Sequence, residues 1–479
     1  MPRKIRVLLT GYEATPFYKC GGLGDVIGSL PKALAEKRID VKVVIPYYEE
    51  IRTKYNALKI GELTINFGKG KEQVGIYQGA FANTTATIYF LSNRPVLSHI
   101  NKRGRNKRID QFAFFSLAVA NFILWLRTNK KWTPSIVHCN DWHTALVPLI
   151  LEKEIKLPVP TLFTIHNLGY QGWGSKKVLD LLHIKDEDYK ELKRGTVVKE
   201  INVLGEGILH STRVSTVSPN YANEVMDSKS NEVVYKYIRR RKEEMGKKGE
   251  ITGILNGIDH EIWDPAKDKL INHNYDIQTW EAGKKANKED SLKNLQLEDK
   301  PTFCFIGRMA RQKGLDILTK TANRIINLDV NIVILGTGDP NIEKSMKRIA
   351  GKYPKNIKIV LEHNEELAHK LYASSDFILI PSHYEPCGLI QMVAMHYGTL
   401  PIASKTGGLK DSIKNNSNGF LFEKDSSRAF VKTVKKALRV YKTPERYKKM
   451  VERAMKTDFT WKRSARLYKK LYFEMLTIK

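Results

Sequence analysis

Short runs of valine, isoleucine, leucine and phenylalanine recur along this chain, nearly every one followed by a glycine- or proline-bearing turn and a helix-length segment. A continuous apolar run has no polar side, so as a strand it is covered on both faces. The alternation therefore predicts βα units built on parallel sheets. The sharpest instance is Asp376 to Pro381, followed by Ser382-His383-Tyr384-Glu385-Pro386-Cys387-Gly388-Leu389-Ile390-Gln391 and an apolar segment closed by Gly398. Its turn stands at the carboxyl end of a strand, where open α/β sheets bind ligands. The turn carries one carboxylate, Glu385, and the helix that follows directs N–H groups toward an anion. Lys405-Thr406-Gly407-Gly408-Leu409 adds a second glycine turn with a cation. A carboxylate able to hold sugar hydroxyls beside two phosphate-ready loops points to a nucleotide-sugar site.

The same pattern runs through both halves. Strands are expected at 4–10, 41–46, 135–140, 160–166, 213–218 and 250–257, with an inserted set of strands between 58 and 98. In the second half they are expected at 302–308, 331–339, 356–362, 376–381, 400–404 and 419–423. NGIDHEIWDP (256–265) is turn-rich, and no regular pattern follows it until about 284, so it reads as an interdomain hinge. A chain of 479 residues exceeds one core. The fold class is α/β: two doubly wound domains, residues 1–255 and 256–458, facing across a cleft, followed by a C-terminal helix in 459–479 with Trp461, Leu467 and Leu471 as its apolar positions.

Composition narrows the classes of function. The 80 Lys and Arg against 51 Asp and Glu give a net charge of +29. The cations are spread, with local knots at 102–108 and 239–248, and no nucleic-acid-binding module accompanies them. Nucleic acid is thus not the expected partner, and the charge suits anionic nucleotide substrates. The most apolar run, 112–126, falls short of a bilayer's roughly 20 residues and reads as a buried helix, so no membrane partner is expected. The chain enters a strand at once, so the cytoplasm is the expected compartment. Cys20, Cys139, Cys304 and Cys387 lack metal-type spacing.

Several motifs fall at strand ends on one rim. Lys19-Cys20-Gly21-Gly22-Leu23-Gly24-Asp25 follows the first strand and is neither a dinucleotide fingerprint nor a P-loop. Its glycines permit close backbone approach to phosphate or sugar, beside Lys19. His138-Cys139-Asn140-Asp141-Trp142-His143 and His166-Asn167-Leu168-Gly169-Tyr170 supply the carboxylates, amides and rings that carbohydrate sites use. Zinc on His138, His143 and His166 lacks a supporting motif, and Trp142 is equally a core residue or a sugar platform. Arg308 and Lys313 stand at the two ends of one loop, where a fork and a point charge can stabilise a departing diphosphate.

These motifs, with TVSPNYANEV (216–225), resemble in order and spacing those of bacterial glycogen synthases and plant starch synthases, from about residue 5 to 476. The resemblance implies a GT-B fold whose C-terminal helix crosses back to the first domain. It implies transfer of glucose from ADP-glucose to the non-reducing 4-hydroxyl of an α-1,4-glucan (glycogen or starch), with retention and with neither metal nor other cofactor. Arg308 and Lys313 would hold the diphosphate, lined by the Gly21-Gly22 and Thr406-Gly407-Gly408 backbones. Glu385 would bind the transferred glucose, His166 and Asp141 would contact it from the other wall, and Lys19 and Asn256 would complete the cleft. Domain closure would exclude water.

The chain departs from that pattern in places. The family's lysine in N-x-x-L-K-x-G is Gly205, the loop near 93–105 differs, the arginine before TGGL is Lys405, and His363 stands where a tyrosine adjoins the base. Two alternatives therefore stand beside the first reading: a GT-B transferase using UDP-glucose or another acceptor, and a catalytically weak glucan-binding scaffold. A phosphorylase would need pyridoxal phosphate, and no segment offers its lysine.

Overall fold

The computed structural model describes residues 4–100, 105–185, 200–227 and 232–477. The chain divides into two compact units, Met1–Asn256 with Trp461–Lys479, and Gly257–Thr460.

In the first unit the strands are β1 (Arg6–Thr10), β2 (Asp40–Pro46), β3 (Leu58–Phe67), β4 (Gly70–Ala80), β5 (Thr87–Ser92), β6 (Ile136–Asn140), β7 (Thr161–Ile165), β8 (Trp173–Ser175), β9 (Glu200–Asn202), β10 (Arg213–Thr216) and β11 (Ile251–Gly253). Nine of them form one sheet in the order β11-β10-β7-β6-β1-β2-β5-β4-β3. It is parallel except at the edge, where β4 pairs antiparallel with β3 and β5. The inserted strands of 58–98 thus extend the main sheet. From β1 the chain works outward through β2 and then returns to β6 on β1's other side. That reversal sets the loop after β1 beside the loop after β6, at the switch point where such sheets bind ligands.

In the second unit the strands are β12 (Thr302–Ile306), β13 (Asn331–Leu335), β14 (Ile357–Val360), β15 (Phe377–Ile380), β16 (Leu400–Ser404) and β17 (Phe420–Phe422). All run parallel, in the order β14-β13-β12-β15-β16-β17. The switch point lies between β12 and β15, so the loop after Ile306 and the turn after Ile380 are neighbours. The stretch 266–283, patternless in sequence, is firmly held. Asp268 accepts from the Tyr397 hydroxyl at 2.5 Å and bonds His369 Nδ1 at 2.6 Å, and Tyr275 is buried before the helix Trp280–Leu295 begins.

Two sequence expectations change. The helix Arg105–Asn129 has a stretch, Lys107–Asn129, long and apolar enough to cross a membrane, longer than the run read from sequence because flanking charges interrupt but do not end the helix; most of it is buried in the first unit. In the C-terminal helix Trp461–Thr477 the buried side is Trp461, Ser464, Ala465, Tyr468, Leu471, Tyr472 and Met475, whereas Leu467 is 42% exposed. At 3.6 residues per turn Leu467 falls off the stripe that Trp461 and Leu471 define. This helix packs in the first unit's core, and Tyr472 Oη lies 2.8 Å from His138 Nδ1.

Candidate active site

The rim of the first unit is organised by a residue that the motifs did not single out. Glu13, in the loop after β1, is fully buried. Its Oε2 accepts the N–H of Gly21 at 2.9 Å and that of Cys20. The glycine loop therefore wraps an internal carboxylate, and a Cβ at Gly24 would stand 3.1 Å from Glu13 Oε2. Burial pushes Glu13 up to about 7, against the two backbone bonds. Lys19 is half-exposed and bonds Asp25 at 2.7 Å.

Asp141 follows β6 with φ +59, a conformation sparsely populated for residues with a side chain. It aims the carboxylate at the loop after the neighbouring strand β7, where Oδ1 accepts the His166 N–H at 2.7 Å and the Asn167 N–H at 3.4 Å. Burial, with the Glu13 charge adding, raises Asp141 to about 7. His166 follows β7, with Nε2 2.9 Å from Asn140 Oδ1. The Asn140 amide is oriented by Nδ2, which donates to the carbonyls of Thr10 at 3.1 Å and His138 at 3.3 Å. Its oxygen can only accept, so His166 carries its proton on Nε2 and offers the Nδ1 lone pair. Burial holds the ring neutral, lowered to about 3. Asn256 is buried, and its Oδ1 has no hydrogen-bond partner among the described residues.

The three histidines weighed for zinc do not converge. His138 lies within β6 with both nitrogens taken, by Tyr472 and by Thr164 Oγ1 at 2.7 Å. His143 stacks on Tyr12 at 3.7 Å between ring centroids. Trp142 is a core residue: it is buried against Phe112, and a Cβ at Gly172 would meet its ring at 2.4 Å.

In the second unit, Lys313 and Glu385 come together across the switch point. Lys313 Nζ is 2.7 Å from Glu385 Oε2, which also accepts from Ser382 Oγ at 3.0 Å. Glu385 is buried, and its Oε1 takes no hydrogen bond among the described residues. Arg308 follows β12 on the same loop and is exposed. The turns interlock through glycine: at Gly407, with φ +44, a Cβ would lie 1.9 Å from the Glu385 carbonyl oxygen. The Gly408 N–H donates to that carbonyl at 3.0 Å, so this amide, like that of Gly21, is engaged within its own unit. Thr406 is buried beside them. Gln391 locks the turn from below, donating to the carbonyls of Cys387 and Gly388.

The departures have structural accounts in part. Gly205 is buried in the helix Val203–His210, and a Cβ there would meet the Tyr237 ring at 2.4 Å, so Tyr237 occupies the place of a side chain at 205. Lys405 bonds Glu423 at 3.1 Å on the surface, and His363 is exposed. Residues 101–104 of the altered loop lie outside the described residues.

Residues 287–457 match the glycosyl transferases group 1 family, and a sucrose-phosphate synthase of Thermosynechococcus elongatus shares the fold at 17% identity, with a TM-score of 0.63 over 99% of this chain and all of that one. The class is thus a GT-B glycosyltransferase. Residues 6–240 match the starch synthase catalytic domain family. Glycogen synthases of Lactobacillus acidophilus and Pseudothermotoga lettingae are 35% and 38% identical over 98% of this chain, and over 100% and 99% of their own lengths. The catalytic domain of starch synthase IV from Arabidopsis thaliana, bound to ADP and acarbose, matches at 30% identity with a TM-score of 0.89, covering 99% of this chain and 100% of that one. The chain belongs to the glycogen and starch synthase family and is a hexosyltransferase.

Proposed function

We propose that this enzyme transfers glucose from ADP-glucose to the non-reducing 4-hydroxyl of an α-1,4-glucan in the cytoplasm, with retention and without a metal. The observation that carries the assignment of roles is the Lys313–Glu385 pair at the second unit's switch point. An ammonium has three N–H donors, one of which Glu385 uses. The others remain for the diphosphate, which Arg308 would approach from the same loop. Glu385 keeps Oε1 for hydroxyls of the transferred glucose. His166, neutral and with Nδ1 as an acceptor, suits a sugar hydroxyl as well, and Asp141 and Asn256 add oxygens that accept. Lys19, Gly21 and Gly22 shape the loop after β1 in the first unit, and Thr406, Gly407 and Gly408 the loop beside Glu385 in the second.

The reaction needs little proton chemistry from these groups. As the anomeric bond lengthens, positive charge grows on the sugar and negative charge on the diphosphate. Lys313, held in place by Glu385, and Arg308 on the same loop stabilise the latter, so leaving-group stabilisation carries most of the rate. The acceptor 4-hydroxyl attacks from the face the diphosphate leaves, which preserves configuration, and passes its proton to the departing diphosphate oxygen.

Turnover with glycogen tests this, comparing ADP-glucose with UDP-glucose, with no metal added, in the wild type and in Glu385→Ala. Preference for ADP-glucose with near-complete loss in the variant is expected. Preference for UDP-glucose would overturn the donor. No transfer from either, with glucan still bound, would leave the scaffold reading.

A further inference from the structure

His383 lies two residues before Glu385, and three segments of the second unit meet on it. Its N–H donates to the Gln312 carbonyl at 2.9 Å, and Gln312 Nε2 donates back to the Tyr384 carbonyl at 3.2 Å. Its ring Nε2 is 2.8 Å from Asp316 Oδ1, in the first turn of the helix Leu315–Ile326. Its ring Nδ1 bonds Asp425 Oδ1, in the turn before the helix Ser427–Tyr441.

Ionised carboxylate oxygens only accept, so both contacts are hydrogen bonds only when both ring nitrogens carry protons. A neutral imidazole would set a lone pair against one carboxylate. Of the neighbouring charges, Lys320 bonds Asp316 at 3.3 Å, and Lys313 and Glu385 bond each other; Arg311 lies on the Gln312 loop, and Glu423 and Lys424 precede Asp425 in its turn. Burial disfavours the imidazolium, but the Asp425 and Asp316 bonds outweigh it and raise His383 above the ordinary histidine value. The same ring holds Asp316 below the usual carboxylate range, again against burial.

We propose that His383 is a positioning residue for the donor site: its imidazolium ties the loop bearing Lys313 to the turn bearing Glu385, and its deprotonation loosens that register. The proposal rests on the reading of Lys313 and Glu385 as donor-binding groups. An Arg at 383 would keep a fixed charge and a fork for two carboxylates, whereas a Gln would keep polarity without charge.

The experiment measures kcat/KM for ADP-glucose, and ADP affinity by calorimetry, from pH 6 to 9.5 in the wild type, His383→Arg and His383→Gln. Thermal melts establish that each is folded, and carbon-labelled histidine NMR follows the ring that His383→Gln removes. Wild-type kcat/KM should fall about tenfold on the alkaline side, mostly through KM, as expected for a sub-ångström loss of positioning. His383→Arg should abolish that limb, and His383→Gln should lie at the lowered level throughout. A limb unchanged in His383→Arg, a His383→Gln enzyme matching wild type at pH 6.5, or a ring titrating at or below about 6.5 would overturn the proposal. If no protein turns over but ADP affinity follows the His383 titration, the functional reading falls and the clamp stands. If ADP affinity also ignores residue 383, the clamp falls.

Discussion

Lys313 and Glu385 are 72 residues apart in sequence, and their side chains meet at 2.7 Å with the carboxylate buried. The pair exists because β12 and β15 are adjacent at a switch point, which brings their carboxyl-end loops together. Removing the lysine leaves a buried carboxylate with Ser382 as its remaining bond.

Lys313→Met should therefore destabilise the protein by about 3–5 kcal/mol as well as abolish turnover. Adding Glu385→Gln removes the orphaned charge and should restore most of the lost stability while activity stays absent. Urea unfolding of the two single variants and the double variant measures this. A double variant no more stable than Lys313→Met would contradict the pairing.

The Asn140 amide assigns the His166 tautomer, so changing its charge should change the enzyme's pH profile. Asn140→Asp places a carboxylate 2.9 Å from Nε2 and raises the ring from its low value of about 3. A protonated ring cannot accept a sugar hydroxyl at Nδ1, so kcat/KM of the variant should fall as pH drops through the raised pKa. The wild type should show no such limb above pH ~5, because its ring stays neutral there. Parallel profiles in the two proteins would remove His166 from the sugar contact.

Glu13 is a carboxyl whose folded pKa, about 7, lies above its unfolded value. Between those values the native state binds more protons than the unfolded chain, so stability falls as pH rises. Glu13→Gln keeps an oxygen for the Cys20 and Gly21 N–H groups and removes the charge. It should match the wild type near pH 4.5 and exceed it at pH 8 by on the order of 2 kcal/mol. Equal stability difference at both pH values would show that the buried carboxyl does not titrate this way.

Gly205→Lys, the substitution that restores the residue implied by the family resemblance, should cost about 1–3 kcal/mol by overpacking, because Tyr237 fills the space. Combining it with Tyr237→Ala should recover part of that cost. Thermal melts decide it, and a stable Gly205→Lys single variant would mean that the ring moves freely.

Along the C-terminal helix, Leu471→Ala should cost about 2–4 kcal/mol and Leu467→Ala under about 0.5 kcal/mol, since only the first is buried. Equal losses would place the helix in a different rotation.

What the sequence by itself determined were the strands, their parallel pairing and the loops that form each rim. Apolar runs need cover on both faces, and glycines at Gly21, Gly388 and Gly407 mark turns, and these are local requirements written in local residues. Glu385, Lys313, Asp141 and His166 were legible for the same reason, as polar residues placed at strand ends. Only the tertiary structure decided which of them touch. The Glu13 carboxylate inside the Gly21 loop, Asn140 fixing the His166 tautomer, and His383 between Asp316 and Asp425 depend on which loops strand adjacency brings together. Their energies come from desolvation and hydrogen bonds between residues distant in sequence, and no local pattern carries that information.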